Sequence, residues 1–133
     1  MGAQALAPYY NSEKEYSYIN KNISETAQTS KVREAVDRAL EKLSELQQTD
    51  GGYVSWGSAN SESAVQVAVA LCSLGRSIFD DADFVCYGKT LWDGIIKYRN
   101  SDGGFLHSFE YDADNPTSLP DKSNTMASEQ ALY

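Results

Sequence analysis

The chain has 133 residues, of which 41% are hydrophobic and 23% charged, so it is long enough to form one domain with a buried core. Its net charge of -8 argues against a nucleic-acid partner, because binding to phosphates requires a basic face. The longest apolar run covers only residues 67–72, too short to cross a bilayer. With one histidine, two cysteines and no Cys-x-x-Cys pair, we expect no metal site and no cofactor.

Both ends of the chain have a helical pattern. Residues 1–8 form a predicted helix without an N-cap, and residues 126–133 are still helical in pattern where the sequence stops. Since domains usually end in polar loops, we expect the sequence to be an excerpt of a longer protein. A polar segment rich in Tyr, Ser, Asn and Glu follows the first helix, and its residues 11–29 are predicted to be loop.

The first long helix is predicted from Ser30 to Gln48 and is amphipathic. Its apolar residues recur every three or four positions, while charged residues occupy the opposite face. Ser30 is the expected N-cap, and Gly51-Gly52 is expected to end the helix by adopting positive φ. The apolar stripe consists of Val32, Ala35, Val36, Ala39, Leu40, Leu43 and Leu46.

The next predicted helix, over 64–74, is apolar or small on nearly every side. A helix of this kind is expected to be buried all round. Asn60 or Ser61 can cap its start, and Gly75 can end it.

A second amphipathic helix is predicted over 84–99. Cys72 falls in the apolar helix and Cys86 near the start of this one, so two buried free thiols are expected. A long loop over 106–123 then leads to another small-residue helix that begins at Asn124.

One motif, Asp-Gly-Gly-aromatic, occurs after each amphipathic helix. Its two copies are Asp50-Gly51-Gly52-Tyr53 and Asp102-Gly103-Gly104-Phe105. A repeat of this length indicates units of a larger repetitive architecture. Three glutamines at nearly equal spacing mark three instances of one buried helix: Gln4, Gln66 and Gln130.

Alternating buried and half-solvated helices with these glycine turns resemble the repeat shared by terpenoid and squalene cyclases, protein prenyltransferase β-subunits and cobalamin-transport proteins. The pattern is especially similar to versions in large surface proteins of Gram-positive gut bacteria. The resemblance implies an all-α fold, a fragment of an α/α toroid with about two helical-hairpin repeats of alternating inner and outer helices. The repeats would cover about 30–75 and 84–133, preceded by an inner helix over 1–8 and a linker over 9–29.

A closed toroid contains more hairpins than this chain supplies. Its inner-helix faces would therefore be bare, and large apolar patches promote association. We expect the chain to associate with itself through those faces.

The acid motif of squalene and class II terpene cyclases is Asp-x-Asp-Asp. Its nearest match is Asp112-Ala113-Asp114-Asn115, which lacks the last acid, so Asp112 and Asp114 are the candidate proton donors. They fall in a polar, proline-containing loop where carboxylates stay solvated, which favours a simple turn and no catalytic residue. Calcium binding by these two residues and Asp121 lacks the spacing of a calcium loop.

Two other kinds of chemistry found in the resembling proteins require residues that this sequence lacks. Zinc in protein prenyltransferases is held by Asp, Cys and His, but Cys86 and His107 do not belong to a predicted inner helix. The thioester of complement-type toroids requires Cys-Gly-Glu-Gln, and Cys72 has no such neighbours.

Aromatic residues that follow the amphipathic helices are the remaining candidates for binding. In the resembling family the aromatic after Gly-Gly packs between helices, which implies a structural role for Tyr53 and Phe105. Trp56 and Tyr111 are better candidates for contact with an apolar or carbohydrate ligand, and Gln66 is a candidate on the buried helix.

These observations favour a non-catalytic binding or scaffold domain of a secreted or wall-attached bacterial surface protein, with a bulky organic molecule or a glycan as ligand. The first alternative is a fragment of a terpenoid-cyclase or prenyltransferase-type enzyme that acts on an isoprenoid, with its acids supplied by other repeats. The second is a carbohydrate-active (α/α) barrel with paired carboxylates such as Glu62 and Asp112.

Overall fold

The computed structural model describes residues 2–22, 26–111, 113 and 115–133. The helical elements are α1 (Gly2–Leu6), a 3-10 turn (Ala7–Tyr9), α2 (Val32–Leu46), α3 (Ser61–Ser73), a second 3-10 turn (Ala82–Phe84), α4 (Leu91–Ile96) and α5 (Thr125–Leu132). The strands are β1 (Glu15–Tyr18), β2 (Gln28–Lys31), β3 (Val54–Ser55), β4 (Ser58–Ala59), β5 (Val85–Cys86) and β6 (Lys89–Thr90).

The described residues form a mixed α/β fold, so the prediction of an all-α toroid fragment is wrong. Three two-stranded antiparallel sheets, β1–β2, β3–β4 and β5–β6, accompany five α-helices. The β1–β2 sheet forms within the polar segment that was expected to be loop, where Tyr16 lies opposite Ser30. Its alternating tyrosines are residues that favour strands, and this signal is masked by the segment's overall polarity.

The two shorter hairpins share one turn geometry. Trp56-Gly57 connects β3 to β4, and Tyr87-Gly88 connects β5 to β6. All four residues have positive φ, between 50° and 81°, as a type I′ turn requires. The usual sequence signal for this turn is Asn-Gly or Asp-Gly, so an aromatic residue before the glycine conceals it.

The helix predicted over 84–99 is much shorter in the structure. Cys86 lies in strand β5, and Gly88 turns the chain before α4 begins. Thr90 caps α4, because its hydroxyl accepts a hydrogen bond from the Asp93 backbone N–H at 3.2 Å. Apolar residues before this cap therefore belong to a hairpin and not to the helical stripe.

Helix α2 differs from the prediction at both ends. Ser30 lies in β2 and is not the N-cap, which is Lys31; the Ser30 hydroxyl instead donates to Glu34 Oε2 at 2.8 Å. The helix ends at Leu46, and Gln47 already has an extended backbone. The glycine pair therefore belongs to the following turn and does not end the helix.

Helix α3 confirms the predicted burial in part: eight of its 13 residues are buried, but Cys72 and Ser73 are exposed, so it is not buried all round. Asn60 is its N-cap, with the side-chain oxygen accepting from the Ser63 N–H at 2.9 Å. Gly75 has φ of 73° just after the helix, and the Arg76 N–H donates to the Leu71 carbonyl at 2.9 Å. Both features are those of a Schellman C-cap, so the expected stop at Gly75 is confirmed.

The core is built around α3, which packs against α1, α4 and α5. Ala64 and Leu71 of α3 have no exposed surface. Cys72, on the other side of the helix, is exposed, and Cys86 is half-buried, so the expected burial of both thiols is wrong although both are free. The other buried apolar residues are Val32, Val36, Leu40, Tyr53, Val65, Val67, Ala68, Ala70, Phe84, Leu91, Ile95, Tyr98, Phe105, Leu106 and Ala127.

The two Asp-Gly-Gly-aromatic turns lead to their small-residue helices in the same way. The Tyr53 carbonyl accepts the backbone N–H of Asn60 at 3.4 Å, and the Phe105 carbonyl accepts that of Asn124 at 2.8 Å. Each asparagine is the N-cap of the helix that follows, α3 or α5. The repeated sequence thus produces a repeated local structure.

Helices α3 and α5 also meet through the glutamines that align between the repeats. Gln66 Nε2 donates to Gln130 Oε1 at 3.1 Å. Among the described residues, no helix has both the length and the apolar character that crossing a bilayer requires.

Candidate functional site

A groove of about 850 Å³ lies between α2 and α3, and we name it the α2–α3 groove. Its walls come from α1, the second half of α2, the β3–β4 hairpin, the first half of α3 and segments that follow the second glycine turn. The lining residues include Ala39, Lys42, Leu43, Leu46, Tyr53, Val54, Ser55, Trp56, Asn60, Glu62, Ser63, Gln66, Val67, Ala70, His107, Asn115 and Met126.

The apolar part of this groove is formed by aliphatic side chains from three helices. Leu43 and Leu46 come from α2, Val67 and Ala70 from α3, and Met126 from α5. Helix α3 packs against α1, α4 and α5, and its side that faces α2 forms a wall of the groove that is open to a ligand. A concave, mainly apolar surface with a few polar groups is the usual form of a small-molecule site.

Trp56 lies at the rim of the groove, and its side chain is fully exposed, at 103% of the reference area. Its φ of 53° places a bulky residue in the left-handed region, which costs about 1–2 kcal/mol relative to the right-handed one. Tryptophan is disfavoured at this position because its ring is exposed to water and because its backbone is in the left-handed region. Tyr87, at the equivalent position of the other hairpin, has the same conformation and is 89% exposed but does not line the groove, so the position of Trp56 at the rim is what makes it a candidate for ligand contact.

Hydrogen bonds attach the β3–β4 hairpin to the start of α3. Ser55 Oγ lies 2.7 Å from Ser63 Oγ, and Asn60 Nδ2 donates to Ser55 Oγ at 3.1 Å. The hairpin that carries Trp56 is therefore fixed to helix α3, which forms another wall of the groove.

Glu62 and His107 form a hydrogen-bonded pair in the wall of the groove. His107 Nδ1 lies 2.8 Å from Glu62 Oε1 and 2.9 Å from Oε2. Both side chains are mostly buried, with 14% of His107 and 11% of Glu62 exposed. In the described part of the chain, no third His, Cys, Asp or Glu joins them in a group that could hold a metal ion.

The fold positions both members of the pair through the start of α3. Glu62 is in the first turn of this 13-residue helix, where the positive end of the helix dipole favours a carboxylate. The Ser61 backbone N–H donates to the His107 carbonyl at 2.9 Å, and the Ser61 hydroxyl donates to the Leu106 carbonyl at 2.8 Å. These bonds fix the segment that carries His107 against the helix end.

The pair also determines how the imidazole is protonated. An ionised carboxylate only accepts hydrogen bonds, so Nδ1 of a neutral His107 carries the proton and Nε2 has a free lone pair. Within 2–22, 26–111, 113 and 115–133, no hydrogen bond to Nε2 is present. The arrangement resembles the carboxylate-oriented imidazole of many binding and catalytic sites in geometry alone.

The structure places two of the three predicted ligand-binding residues in the groove. Trp56 and Gln66 both line it, whereas Tyr111 is exposed and does not. Asp112 and Asp114 lie outside the described residues, and so does one partner of the predicted Glu62–Asp112 carboxylate pair.

The aromatic residues of the repeated motif are both in the core. Tyr53 and Phe105 are buried, and the Tyr53 hydroxyl donates to the Leu43 carbonyl at 2.9 Å. One edge of Tyr53 also reaches the groove.

Sequence reasoning missed the pairing of Glu62 with His107. The two residues are 45 positions apart, and each was considered only for another role, as a paired acid or as a zinc ligand. Local sequence gives no signal for this pairing, because it forms only when the segment after the second glycine turn is bonded to the start of α3.

Comparisons with protein-family models, with curated proteins and with solved structures found no match for this chain.

Proposed function

We propose that this chain is a non-catalytic domain that binds a bulky, largely apolar organic molecule in the α2–α3 groove. The observation that carries the proposal is a groove of about 850 Å³ with mainly aliphatic walls and a fully exposed tryptophan at its rim. A ligand in this open groove would contact the aliphatic side chains of α2 and α3, and the polar side chains along the walls would orient it.

Trp56 supplies the main energetic argument. The unbound domain exposes a large aromatic ring, and full burial of such a side chain contributes on the order of 2–3 kcal/mol. A ligand that covers the ring recovers this free energy. The left-handed backbone of Trp56 keeps the ring at the hairpin tip, where a ligand in the groove can reach it.

The proposal is tested with N-phenyl-1-naphthylamine, a neutral apolar fluorophore. The chain has two tryptophans, so Trp92→Phe leaves Trp56 as the only indole and keeps an aromatic ring beside Phe79. We expect saturable binding at one site, with energy transfer from Trp56 to the probe.

A blocked groove provides the matched control. Ala39→Phe adds a ring at an exposed position of α2 that lines the groove, and Arg38→Phe adds the same ring at an exposed neighbour that does not. We expect the first substitution to weaken probe binding by at least about tenfold and the second to change it less than about twofold. Equal affinities of the two variants, or binding that never saturates, would contradict the proposal.

We also propose that the parent protein is a secreted or wall-attached bacterial surface protein. Support comes from the similarity of the repeated Asp-Gly-Gly-aromatic motif to repeats in such proteins. Protease treatment of intact cells that carry the full-length protein is the test. Cleavage of the domain before lysis supports surface exposure, and protection until lysis contradicts it.

Self-association is a further proposal. Four exposed apolar side chains on or beside α1 and α5 support it, namely Leu6, Met126, Leu132 and Tyr133, since these helices flank α3. Exposed apolar surface promotes association of copies. Light scattering over a range of concentrations tests it, and a mass that stays monomeric throughout would contradict it.

A further inference from the structure

We infer that the ligand of the α2–α3 groove carries a hydroxyl group beside its apolar ring system, and that this hydroxyl donates a hydrogen bond to Nε2 of His107. The inference rests on the proposed function, because it names one specific contact in the same groove. The contact with His107 predicts the polar part of the ligand, and the aliphatic walls of the groove predict its apolar part.

The first step is the orientation of the imidazole. Glu62 holds Nδ1 through both carboxylate oxygens, at 2.8 and 2.9 Å, which fixes the neutral tautomer with the proton on Nδ1. Nε2 is then an acceptor and lacks a partner among the described residues. Since both side chains line the groove, a molecule bound there can reach this nitrogen.

The second step is the access of that nitrogen. His107 and Glu62 are mostly buried, with 14% and 11% of their side chains exposed. Among the described residues, the buried side-chain polar atoms that lack a hydrogen-bond partner are Tyr98 Oη and Ser118 Oγ, and Nε2 is not one of them. Nε2 therefore remains accessible from the groove, where a ligand hydroxyl can donate to it.

The third step is the charge of the surroundings, which disfavours an anionic group. The Glu62 carboxyl group lies next to the imidazole, and Lys42, which lines the same groove from α2, is already paired with Glu45 at 2.7 Å and supplies no free positive charge. A neutral hydroxyl is compatible with these surroundings.

The test compares two probes that share a ring system and an oxygen atom. 2-Naphthol can donate a hydrogen bond, whereas 2-methoxynaphthalene cannot. Each is titrated against the Trp92→Phe chain by displacement of N-phenyl-1-naphthylamine. We expect 2-naphthol to bind about tenfold more tightly, the effect of one hydrogen bond.

Two variants relate that preference to the pair. In His107→Asn the amide nitrogen takes the place of Nδ1 and can still donate to Glu62, but the nitrogen equivalent to Nε2 is absent. We expect the ratio of the two affinities to fall to about one. Glu62→Gln no longer requires the proton on Nδ1, because a carboxamide both donates and accepts, and so we expect an intermediate ratio.

A second readout does not depend on any ligand. His107 is the chain's one histidine, so its two imidazole nitrogens give the only histidine ring signals in a ¹⁵N spectrum. For the neutral imidazole we expect the proton on Nδ1 and an Nε2 without a proton. In Glu62→Gln we expect a mixture of two tautomers, one with the proton on Nδ1 and one with the proton on Nε2.

The outcomes separate the two proposals. If neither probe displaces the fluorophore and the fluorophore does not saturate, the proposed function fails and the ligand assignment fails with it. If both probes bind with equal affinity, or if the spectrum shows the proton on Nε2, the groove remains a binding site but the hydroxyl assignment is overturned.

Discussion

The two Asp-Gly-Gly-aromatic turns have the same backbone and different neighbours. Gly51 and Gly103 have φ of 84° and 90°. In each turn the aspartate side chain accepts the N–H of the second glycine at 2.9 Å. The same sequence therefore encodes the same turn twice, through contacts that lie within it.

Their surroundings differ at the first glycine. A Cβ on Gly51 would lie 2.1 Å from the carbonyl oxygen of Thr90, because this turn packs directly against the start of α4. A Cβ on Gly103 would meet nothing within 4 Å. The motif specifies the conformation of the turn. The tertiary contacts decide whether glycine is also required because a Cβ atom would clash with a neighbouring segment, or is required only for its positive φ.

The largest expected effect is that of alanine at these two glycines. Gly51→Ala adds a backbone clash to the cost of positive φ, and we expect it to lower the free energy of unfolding by more than about 3 kcal/mol. Gly103→Ala carries only the conformational cost, about 1–2 kcal/mol. Urea denaturation followed by circular dichroism measures both. Similar losses in the two variants would mean that the contact with α4 is less close than described.

Gly94→Ala tests that contact from the other side. A Cβ on Gly94 would lie 2.2 Å from the carbonyl oxygen of Gly51, yet Gly94 is inside α4, where alanine is the better helix former. We expect the free energy of unfolding to fall by about 2 kcal/mol even though alanine favours a helix, because the backbone of Gly51 or of α4 must move to relieve the clash. A stabilised Gly94→Ala would show that the turn and α4 are not in contact.

This contrast also explains how far the sequence could predict the structure. Helix α3 was predicted with Asn60 or Ser61 as its N-cap and with its stop at Gly75, because each depends on a few adjacent residues; the N-cap is Asn60. The approach of Gly51 to Gly94 depends on two segments far apart in sequence and was not foreseen.

The hairpins and the Glu62–His107 pair escaped prediction for related reasons. Trp56-Gly57 and Tyr87-Gly88 adopt a turn for which aromatic residues are poor candidates, so local propensity pointed elsewhere. The acid–imidazole pair exists only after the second turn brings its segment to the start of α3. In the groove, Trp56 and Gln66 were predictable by type and position, and His107 was not.

A smaller effect is expected at the aromatic residue of each turn. Tyr53 and Phe105 occupy equivalent positions, but only Tyr53 has a hydroxyl, which donates to the Leu43 carbonyl. Tyr53→Phe should make the first turn like the second and cost about 1 kcal/mol in unfolding free energy. An unchanged urea midpoint would indicate that the Leu43 carbonyl finds another donor.

The smallest effect concerns acid sensitivity. Burial raises the pKa of Asp50, but the Lys97 ammonium and the Gly52 N–H outweigh it, so that the net pKa is lowered. The Ser123 hydroxyl and the Gly104 N–H lower the pKa of Asp102. A carboxyl whose pKa is lower in the folded chain stabilises it above the unfolded pKa of about 3.9, and this contribution is lost as pH falls through the folded value.

Removal of the Lys97 charge should therefore affect one turn only. We expect Lys97→Met to reduce the loss of unfolding free energy between about pH 5 and pH 2, because Asp50 then keeps a more ordinary pKa. Asp102 is expected to titrate as before, by side-chain carboxyl NMR shifts. An unchanged Asp50 titration would contradict the role of Lys97.

Helix α3 faces the core on one side and the groove on the other, so the same helix supports the core and forms a wall of the groove. Ala64 and Leu71 hold the other helices, while Gln66 and Val67 line the space between α2 and α3. Occupancy of the groove is consequently linked to folding by mass action. A molecule that binds only the folded chain should raise the free energy of unfolding by RT ln(1 + L/Kd), where L is its free concentration, and the melting temperature should rise with it. Thermal melting in the presence of candidate compounds can thus report binding without a label.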